Sequence, residues 1–242
     1  MTALRIGLPG FGTSVDSIVR QAQRAEADGF TSLWYASAVA GDPLTAMAVA
    51  GRETTTIELG TAVLQSYACH PLLQAQRAGA VAAAIGPGRF TLGIGPSHRP
   101  VVEDVLGLDY ATPGRHTEDY VDVVAPLLRD GDVEVPLLVA ALGPRLLRVA
   151  GEKTDGTVLW MANARAVADH VAPRIRAAAA DAGRPAPRVV AGLPVAVHDD
   201  EDEARATAAE QFAVYGQLPN YQRILGRGGV SGPAEAAIVG DE

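Results

Sequence analysis

The chain has 242 residues, 48% apolar and 20% charged, which excludes an intrinsically disordered chain and fits one large domain or two small ones. A formal net charge of −8 argues against a nucleic-acid binder, which needs a basic stripe. With Cys69 as the one cysteine, no internal disulfide forms.

Short β-prone runs alternate with longer amphipathic ones. Leu4–Leu8 reads as the first strand. Ser14 caps a helix carrying Val15, Ile18, Val19, Ala22 and Ala25 on one face, and Gly29 ends it. Thr31–Tyr35 is the second strand, and Pro43 opens a helix to about Arg52. Thr56–Val63 is the third strand, and Pro71 starts a helix stopped at Gly86-Pro87-Gly88. Arg89–Ile94 is the fourth strand, followed by an irregular stretch and a helix near Arg115–Arg129. Leu137–Ala141, Thr157–Trp160 and Arg188–Val197 read as strands five to seven. Helices Pro144–Gly151, Ala164–Ala182 and Glu201–Tyr215 follow them, and an eighth unit begins near Ala237.

Such alternation means βα units and a parallel sheet in a single domain over residues 1–242. A (β/α)8 barrel is favoured over an open doubly wound sheet. Dinucleotide binding by the latter wants Gly-x-Gly-x-x-Gly after the first strand, whereas this loop reads Gly10-Phe11-Gly12-Thr13-Ser14-Val15. No apolar run reaches the roughly 18 residues of a bilayer span, and the N-terminus lacks the basic start and cleavage site of a secretory signal. The expectation is therefore a cytoplasmic protein with no membrane partner.

In a parallel barrel the chemistry sits on the loops at the strands' C-terminal ends. Those loops hold Ala36–Asp42, Leu64–His70, Gly95–Arg99, Leu142–Pro144 and Met161–Asn163. Only Asp42 among them is a carboxylate, which disfavours a two-carboxylate hydrolase. The five histidines show no metal-ligand spacing. There is no Gly-x-Ser-x-Gly elbow and no Walker loop. What remains is small and mostly uncharged, a lining for a flat apolar ligand that carries the chemistry itself. By spacing alone, Ala140-Ala141-Leu142-Gly143-Pro144 is a plain strand-to-helix turn, although its helix start suits an anion.

Gly29-Phe30-Thr31-Ser32-Leu33-Trp34, Leu59-Gly60-Thr61-Ala62-Val63 through His70-Pro71, and Gly88–Gly95 resemble the bacterial luciferase-like superfamily. So do Ala140–Pro144 and Asp155-Gly156-Thr157-Val158-Leu159-Trp160. Within it the chain looks most like the branch that uses the deazaflavin coenzyme F420, related to methylenetetrahydromethanopterin reductase. The resemblance implies a TIM (β/α)8 barrel, a homodimer, and hydride transfer between coenzyme F420 and a small organic substrate. The alternatives are an FMN-dependent luciferase-like monooxygenase and a non-catalytic flavin-binding barrel.

Carried over residue by residue, Ala62-Val63 becomes a bulge with a non-prolyl cis peptide behind the deazaflavin ring. Gln65, Ser66 and Tyr67 meet the ring's polar edge or line the substrate side, or else cap their own loop. Gly95 and Ser97 lie beside the ring, while Ala140, Ala141, Gly143 and Pro144 lie against ring and phosphate. Many relatives carry an Asp-His pair where this chain reads Ala36-Ser37-Ala38, and some carry a glutamate where His98 stands. His98 is therefore the candidate proton donor, with a structural loop histidine as the alternative. Asp42 adds a polar contact, His70 caps the helix at Pro71, and His116 is a surface or capping residue, with reach into the pocket as the alternative. Cys69 is an inert neighbour of the pocket. Relatives run longer across Arg129–Pro136 and beyond Glu242, which implies a loop and a last strand and helix missing from this chain, or a real deletion.

Overall fold

The computed structural model describes residues 4–37 and 41–241. Met1–Ala3 and Glu242 of the sequence reading lie outside them. The described residues form two compact units, one running through Ala140 and including Lys153–Asp155, the other comprising Ala141–Glu152 and the chain from Gly156 onward.

The first unit is a run of parallel βα pairs. Its strands are β1 (Gly7–Gly10), β2 (Ser32–Tyr35), β3 (Glu58–Thr61), β4 (Leu64–Gln65), β5 (Phe90–Gly95) and β6 (Leu137–Ala140). They are joined through helices α1 (Val15–Ala27), α2 (Pro43–Arg52), α3 (Pro71–Ile85) and α4 (Pro113–Arg129). β1 pairs with β2 and β2 with β3, all parallel, and both β3 and β4 lie along β5, which pairs in turn with β6. β2, β3 and β5 are buried along their whole length, as strands covered on both faces must be. The core between strands and helices includes Ile18, Leu33, Tyr35, Leu59, Leu92, Ile94 and Leu138.

Local chemistry starts and stops these elements. Ser14 and Ser17 form a reciprocal capping box at α1. Proline opens α2, α3 and α4, where its missing N–H costs nothing. Two clamps join distant segments. The Glu26 carboxylate accepts backbone N–H bonds from Thr55, Thr56 and Ile57, together with the Thr56 hydroxyl. Burial alone would raise its pKa, but those bonds outweigh it and hold the group down at about 2. The Arg89 guanidinium donates to the carbonyls of Gly51 (3.0 Å), Thr54 (3.1 Å) and Ile85 (3.0 Å), tying the ends of α2 and α3 to the start of β5.

The second unit contains α5 (Pro144–Lys153), β7 (Gly156–Trp160), α6 (Ala164–Ala166), α7 (Ala172–Asp181) and β8 (Arg188–Gly192), with β7 and β8 parallel. Gly156, at φ 153°, is required where β7 meets β8, since a Cβ there would come within 1.9 Å of the Arg188 carbonyl oxygen. Further along come β9 (Val195–Val197), α8 (Glu201–Gln211), α9 (Ala213–Gln217), α10 (Pro219–Arg227), α11 (Pro233–Ala236) and β10 (Ile238–Gly240).

Several expectations need correction. The first strand begins at Gly7 rather than Leu4. The expected strand Arg188–Val197 is two strands, because Pro194 cannot continue a ladder. The segment near Ala237 does not open an eighth βα unit here, since Ile238–Gly240 pairs with Val195–Val197 in a small sheet. The helix expected over 164–182 holds a π-turn at Val167–Val171, just before Pro173, which lacks an N–H to bond backward. Likewise the irregular stretch after β5 is a π-turn, Pro100–Val105. α10 and α11 escaped the sequence reading altogether.

Candidate functional site

β3 and β4 run along the same neighbour in shifted register. Gly60 faces Thr91 and Leu64 faces Ile94, so three residues (61–63) stand opposite two (92–93). That is a β-bulge, the device that re-aims chain ends beside active sites. Thr61 makes it possible: its buried hydroxyl donates to the Gly93 carbonyl and accepts from the Gly93 N–H, both at 2.7 Å. The Ala62–Val63 peptide inside the bulge is cis, as the resemblance implies.

The bulge places Val63 between β3 and β4, beside the C-terminal ends of β5 and β6. A Cβ on Gly95 would stand 2.9 Å from both Val63 Cγ2 and Ala140 Cβ. Only glycine fits between them, so Val63 and Ala140 meet over Gly95 and the three make a small, uncharged patch. A planar apolar ring suits such a patch; a charged or strongly polar group would be left unpaired on it.

Polar groups stand around this patch. Gln65 is half-buried and Ser66 is buried, with its hydroxyl lacking a partner. Ser97 adopts a left-handed backbone, φ 61°, uncommon for a residue with a side chain and recurrent at functional sites. Its carbonyl accepts a 2.7 Å bond from the Tyr110 hydroxyl. His98 is half-buried, and its carbonyl anchors the π-turn by accepting from Val101 and Val102, each at 3.0 Å. Burial lowers the His98 pKa, favouring neutral imidazole near pH 7. Burial also pushes Tyr110 up to about 12, with Tyr67 adding to the shift and Arg99 opposing it.

In the second unit the expected ring-and-phosphate stretch heads α5. Ala141 is buried, Gly143 and Pro144 are exposed, and the Leu147 N–H bonds the Gly143 carbonyl in the first helical turn. The Leu142 carbonyl lies 2.8 Å from Nε2 of the buried His170, a residue the sequence reading passed over. The structure thus gathers Ala62, Val63, Gln65, Ser66, Gly95, Ser97, His98 and Ala140 at the strand ends of the first unit, and Ala141, Gly143 and Pro144 at one helix start of the second.

Other expectations divide. His70 caps α3, its Nδ1 accepting the Leu72 N–H at 3.2 Å. Asp42 is committed to capping α2 through Thr45 and to an ion pair with Arg77. Burial raises its pKa, and those bonds more than reverse the effect. Ala38, where relatives carry part of the Asp-His pair, lies outside the described residues. His116 is no surface group. Its ring stacks on Tyr67 at 3.7 Å and 16°, and Tyr67 tilts against Tyr110 at 5.6 Å. The available signal was the spacing of His116 and Tyr120, one turn apart on the inner face of α4. Among the described residues no group of three or more His, Cys, Asp or Glu is placed to hold a metal ion, and no helix is long and apolar enough to cross a membrane.

Comparison with known proteins agrees with this geometry. The chain is 28% identical to a 5,10-methylenetetrahydromethanopterin reductase of Methanolobus tindarius, over 92% of this chain and 74% of that protein. A coenzyme F420 dependent tetrahydromethanopterin reductase of Methanopyrus kandleri superposes with a TM-score of 0.78 at 22% identity, covering 95% of this chain and 76% of the other. A type II Baeyer–Villiger monooxygenase of Pseudomonas putida, in complex with FMN, superposes with a TM-score of 0.72 at 15% identity, covering 94% and 80%. These likenesses establish the fold as the luciferase-like barrel with helices between parallel strands. The luciferase-like monooxygenase profile matches residues 5–237, and the chain belongs to that family.

Proposed function

We propose that this chain is a coenzyme F420-dependent oxidoreductase, moving a hydride between the deazaflavin and a small organic substrate. The observation that carries this reading is the uncharged patch of Val63, Gly95 and Ala140 beside the strand ends, which suits an apolar ring. The 28% identity to a methylenetetrahydromethanopterin reductase favours the deazaflavin as that ring. When bound, the coenzyme supplies the hydride chemistry at its C5 carbon. The protein's part is to bed the ring on this patch, meet its polar edge through Gln65 and Ser66, and exclude water. Within the second unit, the start of α5 at Ala141, Gly143 and Pro144 leaves backbone N–H groups free to meet a phosphate. His98, neutral and half-buried at the end of β5, gives or takes the accompanying proton. The same reading makes the protein a cytoplasmic homodimer. An FMN-dependent monooxygenase is the second reading, favoured by the likeness to an FMN-bound enzyme.

The test is fluorescence titration of the purified protein with coenzyme F420 and with FMN. Quenching or a spectral shift with F420, and less with FMN, is expected. Tighter FMN binding with oxygen consumption in the presence of a reductase would install the monooxygenase reading. In the F420 case, His98→Ala is expected to leave binding in place and lower turnover about 100-fold. Unchanged turnover removes His98 from the mechanism.

A further inference from the structure

His170 is buried, 2% exposed, and takes no part in the chemistry proposed above. It stands in the π-turn Val167–Val171 between α6 and α7. Its Nε2 lies 2.8 Å from the Leu142 carbonyl oxygen, 28 residues back in the chain and just before α5. A carbonyl only accepts, so Nε2 carries the proton and donates. Nδ1 is then a bare acceptor, buried without a hydrogen-bond partner. Burial lowers the pKa of the ring, the Leu142 bond opposes that, and the charges of Arg227 and Arg174 reinforce it, which keeps the ring neutral near pH 7. Arg174 also grips the residue from α7, donating its Nη1 to the His170 carbonyl at 2.8 Å. An apolar side chain of similar size would avoid the cost of the bare nitrogen. What His170 provides, and such a residue does not, is the bond to Leu142.

That bond has a directional consequence. The Leu142–Gly143 peptide is trans, since the one cis bond among the described residues is Ala62–Val63, so its C=O and N–H point opposite ways. With the carbonyl held against buried His170, the Gly143 N–H is turned outward. Gly143 is exposed, and a Cβ on it would meet nothing within 4 Å. Its φ lies outside the left-handed region. Neither backbone strain nor crowding calls for glycine here; unobstructed approach of an outside group to the backbone does. The Gly143 carbonyl accepts from Leu147, so Gly143 heads the helix with no side chain to occupy its first N–H groups. The charges of Arg174 and Arg227, both felt by His170, make this helix start locally positive in a chain of net charge −8.

We propose that His170 is a positioning residue: by holding the Leu142 carbonyl inward it aims the Gly143 N–H, together with the start of α5, at the phosphate of the coenzyme. The inference rests on the coenzyme reading above. Its test is fluorescence titration with two pairs of ligands: F420 and its deazaflavin core truncated before the phosphate, and FMN and riboflavin, which differ by the phosphate alone. The native protein is expected to hold the phosphate-bearing member of the pair it binds about tenfold tighter or more. His170→Leu, which fills the space but donates nothing, is expected to lose that preference, binding the phosphate-bearing ligand about tenfold more weakly and the truncated one within about twofold of native. His170→Gln, whose amide Nε2 reaches about as far as the imidazole Nε2, is expected to restore most of it. A merely structural role moves both ligands of a pair alike, and equal losses overturn the proposal. So does an unchanged preference in His170→Leu, or a lost preference in a His170→Gln protein that melts as the native one does. A native protein that binds both members of a pair equally overturns it while leaving the ring on its patch. A native protein that binds neither pair ends the coenzyme reading, and the role of His170 with it.

Discussion

Glu26→Gln tests how the first unit is held together. The Glu26 carboxylate, near the end of α1, accepts from three successive backbone N–H groups and one hydroxyl of the turn that leads into β3. Its pKa falls from 4.5 to about 2, equivalent to roughly 3 kcal/mol of preference for the charged, folded form. Solvent screening at this half-buried position reduces that to about 1.5 kcal/mol. The glutamine amide keeps one oxygen as acceptor but brings an N–H group to a place where donors already converge, so about 1–2 kcal/mol is lost at pH 7. For a chain of this length the thermal midpoint drops by about 3–6 °C. The folded pKa is depressed, so the contribution is fully present above the unfolded value of about 4.5 and disappears as pH falls toward 2. Thermal melts of both proteins from pH 7 to pH 2 therefore show a gap that closes with acidification. Equal midpoints at pH 7, or a gap that persists unchanged to pH 2, would refute the reasoning.

Two further changes follow from the geometry. Arg89→Lys keeps the charge but loses the fork that serves the carbonyls of Gly51, Thr54 and Ile85; a loss of about 2–4 kcal/mol in urea unfolding is expected. Gly95→Ala places a methyl 2.9 Å from both Val63 Cγ2 and Ala140 Cβ. F420 affinity measured by fluorescence is expected to fall about tenfold or more as the patch distorts, with a folded far-UV spectrum retained.

What could be read from the chain directly was whatever lies within a few residues. The βα alternation, the caps at Ser14 and His70, and the proline starts of α2 and α3 all appear where the sequence reading puts them, because hydrophobic period and capping chemistry are local. The small, uncharged strand-end loops were legible for the same reason, and the resemblance supplied the cis peptide. Contacts between segments far apart in sequence were not legible. No local pattern tells that Glu26 closes on Thr55–Ile57, or that Thr61 replaces a rung of the ladder at Gly93. Nor does the sequence reveal that Gly95 is wedged between Val63 and Ala140, or that His116 lies flat on Tyr67. A histidine on an amphipathic helix looks the same whether its inner face meets aliphatic core or a tyrosine ring. Packing alone assigns it a partner, since the identity of that partner is set by which elements the fold brings side by side.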